Sequence, residues 1–208
     1  MDLTTRQLAL LDGLCLRVRI CTPAQATAIW YQGDADLARG ELRDLEAAGW
    51  IRRETRLVKT GLGASEPIYT SDRGSSIVDA GAVGYRLKKR WEAIQVAETE
   101  VLRAADRAPR LVGGQCVVPR ASEYNHDLHV TGVYGLYRED LNGSGREWVS
   151  GDSIRTGRQF DFGGQIPDAI IVTPGGGIDA VIEGGGAYPA AKVAEIVHAY
   201  RDYRLEIW

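Results

Sequence analysis

Asp168 and Glu183 combine residue type and spacing in the way most suggestive of chemistry. Pro167-Asp168 opens one short apolar run, Ile182-Glu183 closes the next, and Thr173-Pro174-Gly175-Gly176-Gly177 lies between as a turn. Two carboxylates on adjacent strands of a hairpin can point to one face and hold a hard divalent cation such as Mg2+. The alternative is a strand end with both acids solvated. His126 and His129 stand three apart, so a helix would set them on one face at metal-ligand spacing. No third ligand has an evident place beside them, and a structural role is the competing reading; His198 stands alone. The glycine runs Gly175–Gly177 and Gly184–Gly186 match neither G-x-G-x-x-G nor the G-K-[ST] ending of a phosphate loop. The second run precedes a helical pattern, where free amides could bind an anion.

A second kind of chemistry is electrostatic. Arg52, Arg53, Arg56 and Lys59 fall within eight residues, and Lys88-Lys89-Arg90 form another basic run. The first four sit on an expected strand, whose alternation separates Arg52 and Arg56 from Arg53. They read either as phosphate contacts or as a charged edge that resists aggregation. Arg39 and Arg43 lie on an expected helix opposite Leu42 and Leu45, where a major groove could be read.

The elements that must position these residues follow from periodicity. Apolar residues at Leu8, Leu11, Cys15, Leu16 and Ile20 predict a helix from Thr4, with Thr4 or Thr5 as its cap. Thr22-Pro23 restarts a second helix with a capping hydroxyl and proline at its first position. Asp34 or Asp36 caps a third, carrying Leu37, Leu42, Leu45 and Ala48 inward and ending at Gly49. The period then changes. Trp50–Val58 reads as a strand, Lys59–Pro67 as a hairpin tip and Ile68-Tyr69-Thr70 as the returning strand. Residues 75–105 read as helical, with Leu87, Trp91, Ile94 and Val101 near heptad spacing; that suggests a connecting or a dimerisation helix. A helix over 123–138 is expected next, then strands at 148–150, 168–172 and 178–183. A helix from Pro189 and a last strand near Leu205 complete the chain.

Three helices followed by a strand pair resemble a winged helix-turn-helix. The likeness is carried by Leu42-x-x-Leu45-x-x-x-Gly49-Trp50-Ile51-x-Arg53 and Ile68-Tyr69-x-Ser71-x-x-Gly74. Pro167-Asp168 with Ile182-Glu183 resembles the active-site frame of the PD-(D/E)XK, or restriction-endonuclease-like, fold. That likeness implies a lysine two residues after the second acid, but Gly185 occupies the position. Lys192, the only lysine of the second half, is the candidate substitute. Together with His126-Asp127-Leu128-x-Val130, Pro167-Asp168-Ala169, Lys192 and Tyr200, the whole order is similar to the replication-relaxation family. The resemblance implies DNA binding linked to plasmid or mobile-element replication, mobilisation or its regulation.

Composition bounds these readings. The 208 residues are 44% hydrophobic, enough for a real core, and no apolar run approaches the ~20 residues of a membrane span. Cys15, Cys21 and Cys116, odd in number and without C-x-x-C spacing, exclude a disulfide framework and point to a reducing, cytoplasmic setting. The net charge of -3 gives no whole-protein footprint for nucleic acid. The expected architecture is α+β: a winged helix at 1–80, a linker or dimerisation helix at 81–108, and a degenerate restriction-endonuclease-like α/β domain at 109–208. The expected function is duplex DNA binding through Arg39, Arg43, Arg52, Arg53, Arg56 and Lys59, as a homodimer and with no cofactor required. One alternative is a Mg2+-dependent endonuclease with Asp168 and Glu183 on the metal and Lys192 assisting the attacking water. Another is a protein-interaction module, which the acidic total charge favours.

Overall fold

A computed structural model describes residues 2–59, 66–75, 78–157 and 159–208. In chain order the elements are α1 (Thr5–Asp12), a π-helical turn (Gly13–Arg17), β1 (Ile20–Cys21), α2 (Pro23–Trp30), α3 (Ala35–Ala47), β2 (Ile51–Lys59) and β3 (Tyr69–Ser71). Then come α4 (Ala80–Ala93), β4 (Val96–Ala104), α5 (Pro109–Val112), α6 (Tyr124–Leu141), β5 (Glu147–Ser150) and α7 (Gly151–Thr156). The chain ends with β6 (Ala169–Val172), β7 (Ile178–Glu183), α8 (Ala190–Ala199) and β8 (Leu205–Ile207). This is a mixed α+β fold with two sheets. Among the described residues no helix is long and apolar enough to cross a membrane.

The chain divides into two compact units, Met1–Thr60 with Val96–Arg138, and Gly61–Gln95 with Glu139–Trp208. These units cut across the expected boundaries at 80 and 108.

In the first unit the helix starts obey local chemistry. Thr4 and Gln7 form a reciprocal capping box on α1, and Thr22 and Gln25 form another on α2. Asp34 accepts the Leu37 N–H at the start of α3, and Gly49, at φ +72°, ends that helix where an L side chain is disfavoured. The sheet runs β1-β4-β2, all antiparallel, with β2 and β4 in register from Ile51↔Ala104 to Lys59↔Val96. One sheet face carries Val58 and Val101, which cluster with Ile20 and with Tyr124 and Leu128 of α6.

Two expectations about this sheet are corrected. The partner of β2 is β4, not Ile68-Tyr69-Thr70, and the strand Tyr69–Ser71 pairs with β8 in the other unit. The helix expected over 75–105 ends at Ala93, because Ile94 turns extended (φ -88°, ψ 126°) and Val96–Ala104 gains a full strand partner. Leu87 and Leu102, both inside the linker or dimerisation helix expected at 81–108, are buried, one in each unit. The hairpin tip expected at Lys59–Pro67 falls mostly on residues 60–65, outside the described residues. The first helix is also shorter than expected, since Ile20-Cys21 leaves it to pair with β4.

The second unit holds a sheet of order β3-β8-β7-β6-β5. β5, β6 and β7 form an antiparallel meander, and α8 carries the chain over to β8, which lies parallel to β7. Helices α4 and α8 supply Val83, Leu87, Val193, Ile196, Val197 and Tyr200 to a core completed by Ile170, Val172, Val181, Leu205 and Ile207.

Candidate functional site

The β6–β7 ladder pairs Ile170 with Val181 and Ala169 with Ile182. Carried one step on, the register sets Asp168 across from Glu183, on the sheet face that Ile170 and Val181 turn toward α4 and α8. Glu183 is buried and Asp168 half-buried. The Gly184 N–H donates to Asp168 Oδ2 at 2.7 Å, and the Gly151 N–H donates to the Asp168 carbonyl at 2.7 Å. Two tyrosines report the charge of this place. Burial raises the Tyr188 phenol well above its ordinary value, and Asp168 and Glu183 raise it further. Burial does the same to Tyr200, reinforced by Glu183 and then Asp168, while its hydroxyl donates to the Gln165 carbonyl at 3.2 Å.

Two carboxylates directly opposite on a sheet concentrate negative charge, which can attract a cation. Mg2+ commonly takes one or two protein carboxylates and keeps several waters, and these two acids meet that minimum. Among the described residues no group of three or more histidine, cysteine, aspartate or glutamate side chains could hold a metal. Activation of a water is a separate requirement. A Cβ built on Gly185 would lie 2.4 Å from Leu87 Cδ2 and 2.6 Å from the Trp208 carbonyl oxygen, so this position has no room for any side chain. Lys192 pairs with Glu195 at 3.8 Å on α8, its side chain 41% exposed. The arrangement can attract a cation, but the lysine position of the resembled motif is sterically closed.

His126 and His129 do share α6, yet His129 is wholly buried, while His126 is half-buried with Nδ1 3.3 Å from Asp127 Oδ1. The described residues bring no third ligand to them.

The basic residues of the first unit are scattered in their availability. Arg39 and Arg43 project from α3 and, among the described residues, pair only with Asp36 at 2.9 Å and Asp44 at 3.9 Å. Arg52 is exposed and makes no ion pair with any described residue. Arg53, on the opposite sheet face, is held between Glu46 at 2.9 Å and Glu100 at 2.7 Å. Arg56 pairs with Glu54 and lies over the Tyr124 ring, 5.2 Å from its centroid. Lys59 is half-buried, and its backbone N–H donates to Asn125 Oδ1 at 2.7 Å. The carboxylates that neutralise Arg53 and Arg56 come partly from β4, whose strand character was not anticipated.

Sequence reasoning passed over Tyr188, which has no motif around it, and Tyr85 with Arg86, which adjoin the basic run on α4. Helical spacing was the signal for the latter pair: Tyr85, Lys88 and Lys89 recur at i, i+3 and i+4. No protein-family model, curated protein or solved structure matches the chain.

Proposed function

We propose that the chain binds duplex DNA through its first unit, and that the second is a nuclease-like unit without catalytic function. The observation that carries this reading is the presentation of α3. With Leu42 and Leu45 buried, the side chains of Arg39 and Arg43 stand 77% and 79% exposed on the other side. The sequence α1-β1-α2-α3-β2, closed by the β2–β4 pair, supports giving α3 the groove-entering role of a winged helix. Surface ion pairs such as Arg39–Asp36 are worth little, so phosphates or base edges offering bidentate, charge-assisted bonds can replace them. A place in plasmid or mobile-element replication belongs to the same proposal and rests on the family resemblance.

The test is anisotropy of a labelled duplex at several salt concentrations. Wild-type affinity should fall linearly with salt on logarithmic axes, and R39A/R43A should lose roughly ten-fold or more. A wild-type protein that leaves the duplex free would end the proposal, and passage through heparin as well would favour a protein-interaction role. The opposition of Asp168 to Glu183 favours a second reading, a Mg2+-dependent endonuclease. Nicking of supercoiled DNA with Mg2+, lost in D168A while binding survives, would establish it instead.

A further inference from the structure

We propose that the exposed face of α4 is a binding surface for single-stranded DNA, built from Tyr85, Arg86, Lys88 and Lys89. Helix α4 is amphipathic with an unusual outer side. Val83, Gly84 and Leu87 are buried, and Gly84 is seated so tightly that a Cβ would lie 3.0 Å from the Tyr188 carbonyl oxygen. That packing fixes which side faces outward. Tyr85 is 62% exposed, far more than an aromatic ring needs for packing, and it stands beyond the two small exposed residues Gly81 and Ala82. Arg86, Lys88 and Lys89 are exposed around it, and Lys89 Nζ lies 5.7 Å from the ring centroid.

The charge on this face is only partly neutralised. Over its whole length α4 carries Arg86, Lys88, Lys89 and Arg90 against a single carboxylate, Glu92. Glu92 reaches Lys88 at 3.6 Å. Arg86 and Lys89 make no ion pair with any described residue. In a chain with a net charge of -3, a concentrated positive helix face is a local departure that suits a polyanion.

The tyrosine narrows the polyanion. An open aromatic ring flanked by cations serves a strand whose bases are unstacked, since each base offers a π-face to the ring and a phosphate to the cations. In a duplex those faces are covered, so the same ring would have nothing to stack on. The inference shares with the proposed function only the choice of DNA as partner. It concerns a different element and a different form of that DNA.

The test uses the full chain and fluorescently labelled oligothymidine, which cannot form a duplex with itself. Wild type should bind it, and Y85A should weaken binding about ten-fold, with Y85F restoring it. R86Q/K89Q should weaken binding and reduce the logarithmic salt slope by about 1.4. R39A/R43A should leave oligothymidine binding unchanged. Failure of wild type to bind oligothymidine, or binding by Y85A and R86Q/K89Q equal to that of wild type, overturns the inference. So does capture of phosphatidylserine vesicles through these residues without oligothymidine binding. Oligothymidine binding with no duplex binding leaves the inference standing and sinks the proposed function; the reverse result does the opposite.

Discussion

The β2–β4 ladder of the first unit and helix α4 of the second are the two densest stretches of positive charge in the structure, and they use it in opposite ways. On the ladder, three of the cations are locked to carboxylates, Arg53 to Glu46 and Glu100, Arg103 to Glu54 at 2.8 Å, and Arg56 to the same Glu54, while Arg52 makes no ion pair with any described residue. On α4, Arg86 and Lys89 meet no carboxylate among the described residues. Counting basic residues would rank the ladder, with five, just ahead of α4, with four. Their partners separate them, because a guanidinium already sharing two carboxylates must give up those bonds before it can bind a phosphate. Strand pairing brings acids and bases from distant positions face to face, whereas a surface helix meets only its own neighbours at three and four residues.

The comparison can be broken by substitutions on each side. The largest effect is expected from G185A, which drives a methyl into Leu87 and so attacks the buried face of α4. Overpacking of this kind costs about 2–3 kcal/mol, read as a lowered midpoint in urea at unchanged slope. Next comes E54Q, which should cost about 1 kcal/mol, since it removes the negative charge shared by Arg103 and Arg56 and replaces one of the two acceptor oxygens that serve Arg103 and the Tyr124 hydroxyl. Burial works against the charge of Glu54, but the bonds from Arg103 and Tyr124 and the charge of Arg56 outweigh it and hold its pKa below the ordinary carboxylate range. A depressed folded-state pKa means stability present above the unfolded value, about 4.3, and lost as pH falls through the folded one. Acid titration of wild type should show that loss, and E54Q should flatten it. The smallest effect is expected from R86Q/K89Q, within about 0.5 kcal/mol of wild type. Should R86Q/K89Q destabilise as much as E54Q, the contrast between locked and open charge fails.

Much of the local structure could be read without coordinates. Thr4, Thr22 and Asp34 cap their helices because a side-chain oxygen and an amide two or three residues on are enough to make the cap. The acid pair was legible for a similar reason, as a short hairpin fixes its own register. What could not be read was pairing at a distance. Nothing around Val96–Ala104 states that its partner is Ile51–Lys59, and its apolar residues continue the helical spacing of Leu87 and Trp91 closely enough to mislead. Tyr69–Ser71 is paired with Leu205–Ile207, a contact with no local trace. The same limit applies to Gly185. Its sequence shows a lysine missing, while the reason that none fits lies in Leu87 and Trp208.

The route of the chain also sets an order of events during folding. The first unit has all its strands once Val96–Ala104 exists, and its helical cover follows soon after in α6. The second must hold Tyr69–Ser71 without a neighbour until Leu205–Ile207 arrives to pair with it. Closing so long a loop delays contact formation. On a ribosome the first sheet is therefore the early one, and α4 spends most of synthesis on a unit whose edge has yet to be made.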